Sequence, residues 1–421
     1  MNHKIGNLFK GDKVIWMVFL FLCLISIVEV FSASSTLTYK SQNYMMPLFY
    51  HTGMIVFGLF VAIVTLNIPC RYFKIITPLL LIITFSTLLW VLVGGESING
   101  ANRVIKIAGF TFQPSEIAKG TMVLATAQIL SAMQRSDGKG ADPKAMRYVL
   151  MTVVPAVCLI GIENLSTAAL LFMVIFMMMF IARVPMIQIG KLMGAGVVVI
   201  GVFLTLVLTL GSIGQGDEEA QEPTATAQTA SKNEIKGGGV FHRFATWRNR
   251  ILNHGGGNNV PAKDYDIDKN YQVGHANIAI ASSGIIGKGP GNSTERDFLP
   301  QAFSDFIYAI VIEEMGIFGA IFVVFLYIIL LFRAARIASR CENNFPAFLV
   351  LGLALLLVVQ ATINMLVAVG LMPVTGQPLP LISKGGTSTI INCAYIGVIL
   401  SISRSAKKVD TPQFITSHKK A

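Results

Sequence analysis

Charge is scarce in this chain. Of its 421 residues only 13% are Asp, Glu, Lys or Arg, against 53% hydrophobic, and the mean hydropathy is +0.65. Those values exclude an ordinary soluble domain. Acid is scarcer than base, 22 residues against 33. The resulting +11 does not point to nucleic acid, because Lys and Arg gather in short polar segments between apolar runs, where membrane orientation requires them. Cysteine is also sparse: Cys23, Cys70, Cys158, Cys341 and Cys393 lie in or beside apolar runs, which excludes a disulfide framework. No cleavable leader is expected, since Met1–Lys10 runs into an apolar stretch too long for a signal peptide and lacking a small-residue cleavage site. No Gly-Lys-Ser/Thr phosphate-loop ending is present, so nucleotide binding is not expected.

What is present is a succession of long apolar runs. They predict an all-α, polytopic membrane protein of about ten spans, near 14–33, 45–66, 75–93, 114–133, 149–163, 165–183, 189–211, 304–332, 346–370 and 387–403. Alternate connections carry Lys4, Lys10 and Lys13; Arg71 and Lys74; Arg135, Lys139, Lys144 and Arg147; Arg183 and Lys191; Arg333, Arg336 and Arg340; and Arg404, Lys407 and Lys408. The positive-inside rule makes these cytoplasmic, with both termini inside. The chain reads as one membrane domain, 1–421, whose largest outer loop, 212–302, opens with a low-complexity stretch at 212–239 that reads as a flexible insertion without a core.

Orientation does not explain every charge. Asp305 stands where the outer loop enters the 304–332 run, and two readings of it stay open: a helix cap following Ser304, or a base or ion ligand held at the water edge. Arg103, Lys106, Lys288 and Lys384 fall in outer loops. His242, Arg243, Trp247, Arg248 and Arg250 form a basic, aromatic cluster suited either to lipid headgroups or to a diphosphate. Tyr271–Gly284 reads as an amphipathic helix. Gly284–Ser293 follows as a glycine-rich turn whose backbone N–H groups can face an anion. Glu116 and Lys119 lie three residues apart on one helical face, where they can neutralise one another.

Three blocks, taken together, resemble one family. They are Asn99-Gly-Ala-Asn-Arg-Val-Ile-Lys-Ile-Ala-Gly-Phe-Thr-Phe-Gln113-Pro-Ser-Glu116-Ile-Ala-Lys119; Gly287-Lys-Gly-Pro-Gly-Asn-Ser293 with Phe298-Leu-Pro-Gln-Ala-Phe-Ser-Asp305 through Glu313-Glu314-Met-Gly316; and Asn364 with Leu371 through Ser383-Lys-Gly-Gly-Thr-Ser388. Their order resembles the SEDS family, the FtsW, RodA and SpoVE proteins of shape, elongation, division and sporulation. The resemblance covers nearly the whole chain apart from 212–239. It implies polymerisation of lipid II into glycan strands at the outer membrane face, with Asp305 as the base or as ligand to a divalent cation, Mg2+ or Mn2+. No organic cofactor is implied. Arg103, Gln113, Glu116, Lys119, Arg243, Arg248, Lys288, Ser293, Ser383 and Lys384 are the substrate-side candidates. Glu313 and Glu314, eight and nine residues from Asp305, are expected to support the structure rather than to pair with it.

The pattern departs from the family in places. Glu163-Asn-Leu-Ser-Thr-Ala168 stands where many relatives carry an acidic Glu-Pro-Asp motif, Val104 where Trp is usual, and Lys384 where Tyr is usual. Gly289-Pro-Gly-Asn-Ser293 is more similar to the division branch than to the elongation branch. The resemblance further implies a class B penicillin-binding transpeptidase and other division proteins as partners. A lipid II flippase, an elongation-type polymerase and a pure scaffold of the division machinery remain alternatives at this point.

Overall fold

The computed structural model describes residues 10–34, 45–98, 101–107, 110–136, 140–213, 248, 271–299 and 302–406. The low-complexity stretch 212–239 lies almost wholly outside them, as does Arg243. With no water in a bilayer core, an apolar run must satisfy its own backbone, and a helix does so. The chain accordingly forms α1 (Lys13–Ala33), α2 (Met46–Asn67), α3 (Cys70–Gly94), α4 (Pro114–Ala132), α5 (Lys144–Glu163), α6 (Leu165–Ile181), α7 (Met186–Ile213), α8 (Tyr271–Ser282), α9 (Ile307–Ala338), α10 (Asn344–Ala368) and α11 (Thr387–Ser405). Among the described residues seven of these are long and apolar enough to cross a membrane: α1, α2, α3, α5, α7, α9 and α10. The other three expected spans fall on α4, α6 and α11. The expected helix in the outer loop is α8.

Two features depart from the expected architecture. The loop between α3 and α4 is not coil but a small antiparallel sheet, β1 (Glu96–Ile98), β2 (Ala101–Ile107) and β3 (Phe110–Phe112), in the order β1-β2-β3. Arg103 and Lys106 lie on its central strand. More consequential is α9, which is not one straight span. Gly316 has φ 67° and ψ −167° inside it, a region that essentially only glycine occupies. The hydroxyl of Tyr308 donates to the carbonyl of Ala320 at 3.2 Å. In a continuous helix those residues would be about 18 Å apart along the axis, far beyond one tyrosine side chain. The chain therefore turns back at Gly316, so that residues 307–315 form a half-helix folded against the outer part of the span that follows.

The bundle is measured out by α1 and α9. At one end Asp12 pairs with Arg333, and at the other Ser32 donates to Glu314. The two contacts are 20 residues apart on α1, about 30 Å of helix, the thickness of a hydrocarbon core. α4 is the buried centre, enclosed by α3, α5, α6 and α10, which is why it tolerates Glu116, Lys119, Thr121 and Thr126 in its interior. α2 and α11 cross through small residues: a methyl on Gly397 would sit 1.8 Å from Thr65 Oγ1 and 2.5 Å from the Ala62 carbonyl. Outward faces of α2, α3 and α7 are apolar, with Phe49, Val56, Phe60, Ile75, Trp90 and Val198 all exposed, the reverse of a water-facing surface.

Candidate active site

The glycine-rich turn does receive anions, but they are the protein's own. Its backbone caps the outer end of the half-helix: Lys288 N–H donates to the Glu313 carbonyl and Gly289 N–H to the Glu314 carbonyl, each at 2.9 Å. These are carbonyls that the end of the half-helix would otherwise leave open. The same turn wraps both carboxylates. Glu313 accepts from Lys288 Nζ at 2.6 Å, Thr294 N–H at 3.0 Å, Thr294 Oγ1 at 2.8 Å and the Ser293 hydroxyl. Glu314 accepts from Gly291 N–H at 2.9 Å, Ser293 N–H at 3.2 Å and the Ser32 hydroxyl of α1. Both side chains are buried, and such groups persist only with donors around them. The expectation of a free anion cradle at 284–293 is thus corrected. The charge of Lys288 is matched by Glu313, and buried Ser293 holds that carboxylate rather than a substrate. Glu313 and Glu314 are both bound within this turn.

The reversal at Gly316 relocates Asp305. It was expected at the water edge of a long span; it lies instead at the foot of the half-helix, nine residues and roughly 13 Å inward from Glu314. Nor is it the helix cap, because the N-cap position belongs to Phe306, with no side-chain capping bond. Asp305 sits on a non-helical turn held from several sides. Asn364 of α10 donates its amide to the Asp305 carbonyl and to the Gln377 carbonyl, both at 2.7 Å. Ser304 Oγ donates to Asp305 Oδ1 at 2.9 Å. Ser383 Oγ donates to the Ser304 carbonyl at 2.6 Å and accepts from Leu379 N–H at 2.7 Å. Lys384 N–H donates to the Phe303 carbonyl at 2.9 Å. The 379–384 segment is fixed in turn from α1, where Ser26 Oγ donates to the Ile382 carbonyl at 2.6 Å and takes a bond from His51 Nε2 at 2.8 Å. Since that hydroxyl proton is committed to a carbonyl, Nε2 must be the protonated nitrogen of His51.

The candidate cations sort themselves by partner. Lys119 is fully buried, 2.8 Å from Glu116 Oε1 and 2.7 Å from Gln360 Oε1. Glu116 also accepts from Ser388 Oγ at 3.1 Å. The neutralising pair is what the fold builds. Lys384 is different: half-buried, it makes no ion pair among the described residues and lies 5.0 Å from the Phe303 ring centroid, a cation–π distance. Burial pulls its ammonium below the usual lysine range. Gln113 is the N-cap of α4 and donates to Ser115 Oγ at 3.1 Å. Arg248 is half-buried, and the side chain of Arg103 is outside what the structure describes.

Sequence reasoning did not single out Glu29, Arg296, Gln360, Asn364 and Gln377, which the fold buries or ties into the loops around Asp305 and the glycine-rich turn. Glu29, wholly buried on α1, has no hydrogen-bond partner for either oxygen among the described residues. Its signal was available, an acid inside an apolar span. Arg296 donates to Ser32 Oγ at 3.1 Å and to the Gly291 carbonyl at 2.7 Å, tying the turn to α1. Its importance depends on long-range contacts that no local pattern reveals.

One stability prediction follows from the pair on α4. Lys119→Met leaves Glu116 buried and uncompensated, so it should destabilise the protein by roughly 3–5 kcal/mol. Adding Glu116→Gln should recover most of that loss. Thermal unfolding of the solubilised variants measures both; a Lys119→Met protein as stable as wild type would show that the pair is not the structural element described.

The fold and site define a polytopic helical membrane protein in which a re-entrant half-helix sets one aspartate on a turn held by hydrogen-bonded loops. A family model described as "Cell cycle protein", FtsW/RodA/SpoVE, matches residues 12–408, and the chain belongs to that family. It is 27% identical over 418 residues to the "Probable peptidoglycan glycosyltransferase FtsW" of Enterococcus hirae, covering 96% of both chains. It is 26% identical over 361 residues to the "Peptidoglycan glycosyltransferase MrdB" of Escherichia coli (strain K12), covering 84% of this chain and 85% of that one. Among solved structures, the Thermus thermophilus "Rod shape determining protein RodA" superposes with TM-score 0.62 at 21% identity, over 96% of this chain and 99% of that chain. A chain from "Structural coordination of polymerization and crosslinking by a peptidoglycan synthase complex" gives 0.66 at 22% identity, over 94% and 98%. At those identities the structures show a shared fold.

Proposed function

We propose that this protein is a peptidoglycan glycosyltransferase that polymerises lipid II at the outer face of the bacterial cytoplasmic membrane, at the division septum. The observation that carries the reading is the placement of Asp305: one carboxylate on a rigid, non-helical turn, half-buried, with Lys384 bonded beside it through Phe303. Joining a sugar hydroxyl to an anomeric carbon that bears a diphosphate needs a group to take the hydroxyl proton and positive charge for the departing diphosphate. Asp305 takes the proton; Lys384, without an acid partner among the described residues, faces the phosphate charge. The names of the relatives support the chemistry. Gly289-Pro-Gly-Asn-Ser293 supports the division branch over the elongation branch. The peptidoglycan synthase complex among the structural neighbours supports a cross-linking partner, a class B penicillin-binding transpeptidase, with other division proteins around it.

The purified protein, reconstituted with lipid II with and without that transpeptidase, should produce glycan strands visible as a ladder on a gel. If fluorescent lipid II crossed the bilayer while no strand formed under either condition, the protein would be a flippase and the proposal would fall.

A further inference from the structure

A hydroxyl inside a helix commonly bonds back to the carbonyl four residues earlier on its own helix. Thr77, Thr87, Thr152, Thr205 and Thr362 all do so, at 2.8 to 3.0 Å. Ser26 of α1 donates elsewhere. Wholly buried, it reaches across the bundle to the Ile382 carbonyl at 2.6 Å. His51 of α2, only 2% exposed, supplies the reason: its Nε2–H donates to Ser26 Oγ at 2.8 Å, which occupies the acceptor side of the hydroxyl and leaves its hydrogen for the carbonyl.

What Ser26 holds is strained. Leu381 has φ 67°, in the left-handed region, which a leucine keeps only where its surroundings impose it. Ile382 follows directly, so the bond from Ser26 falls on the first residue beyond the strain. The next two residues grip the turn that carries Asp305: Ser383 Oγ donates to the Ser304 carbonyl at 2.6 Å, and Lys384 N–H to the Phe303 carbonyl at 2.9 Å. Lys384 then sets its ammonium 5.0 Å from the Phe303 ring centroid, and it is the charge that acts on His51. If the strain at Leu381 relaxed, this strap would turn and carry Lys384 with it.

We propose that His51 and Ser26 are positioning residues for Lys384. The chain of bonds from His51 through Ser26 to Ile382 holds the strained Leu381 conformation, and that conformation sets where the ammonium meets the diphosphate of the lipid substrate. Without His51 the Ser26 hydroxyl is free to turn back to its own helix. Without Ser26 the Ile382 carbonyl loses its donor. The inference rests on the polymerase reading, which assigns the diphosphate to Lys384.

The full-length protein in lipid nanodiscs, titrated calorimetrically with undecaprenyl diphosphate, tests it. Lys384→Met should weaken binding by roughly tenfold or more, because a hydrogen bond to a charged group is lost. Ser26→Ala and His51→Leu should each weaken it by about fivefold to tenfold, since a misplaced contact is nearly as poor as a missing one. In the Lys384→Met background the same two changes should matter by less than about twofold, because nothing is left to position. His51→Gln, which can present an amide N–H to Ser26, should bind within about twofold of wild type. Equal losses in both backgrounds overturn the inference, since they make the pair a packing element; unchanged binding in Ser26→Ala and His51→Leu, or in Lys384→Met, overturns it too. His51→Gln as weak as His51→Leu removes the donor role from His51. Melting temperatures and binding stoichiometry from the same samples separate unfolded protein, which shows as lost sites, from lowered affinity. Strand synthesis by wild type is scored separately: strands together with equal losses reject the positioning role alone, whereas absence of strands rejects the polymerase reading and leaves the binding cycle to be judged by itself.

Discussion

Asp305→Asn should reach the membrane at wild-type abundance, keep its melting temperature, and lose glycan polymerisation by roughly a hundredfold or more. The fold is expected to survive because Asp305 does not cap a helix: the N-cap is Phe306. Its backbone carbonyl keeps the Asn364 bond in the variant, and the Asn side-chain oxygen can still accept from Ser304 Oγ. What disappears is the negative charge and with it the ability to take a proton. Strand synthesis from lipid II, compared at equal protein, reads the result. Near-normal polymer from the variant would remove Asp305 from the chemistry and leave it a structural residue of the turn.

Gly316→Val should be the most damaging single change away from Asp305. At φ 67° and ψ −167° a side chain is strained by about 1–3 kcal/mol before any contact is considered. A Cβ there would also lie 2.3 Å from the Ile285 carbonyl and 2.6 Å from Gly287 N. Both are backbone atoms of the turn that caps the half-helix, and they cannot swing aside. Relief requires the 284–294 turn to leave Glu313 and Glu314, which strips two buried carboxylates of their donors, each at a further cost of roughly 1–3 kcal/mol or more. The expected result is severe loss of folded protein in the membrane and, in whatever remains, loss of activity. Gly190→Ala serves as the control, since nothing lies within 4 Å of a methyl there. Wild-type thermal stability in Gly316→Val would mean that the chain does not reverse at this glycine.

How much was legible beforehand differs between elements. α1, α2, α3, α5 and α10 agree with the apolar runs to within a few residues, because bilayer thickness sets the length of a run and lipid forces it to be helical. α8 was legible from its pattern. The half-helix was not: 306–332 is continuously apolar apart from Glu313 and Glu314, and hydropathy carries no information about direction of travel. A glycine in an apolar run is compatible with straight passage, and only contacts such as Tyr308 to Ala320 reveal the return.

The sequence by itself determined the class of the protein, its membrane setting and its family. Each of these depends on composition or on residues contiguous in the chain. Tertiary structure alone decided which charged groups are consumed and which are left to act. Lys288 and Lys119 were as good as Lys384 as cations on paper, but the first is matched by Glu313 from 25 residues away and the second by Glu116 and by Gln360 from 241 away. The glycine-rich turn likewise looked open until Glu313 and Glu314 filled it. Glu29 was visible in the sequence as an acid inside an apolar run, but that neither of its oxygens has a hydrogen-bond partner among the described residues emerges only from the packing around it. Charge is a property of a residue, whereas unmet charge or an unmet hydrogen bond is a property of its surroundings, and those exist only once distant segments have packed.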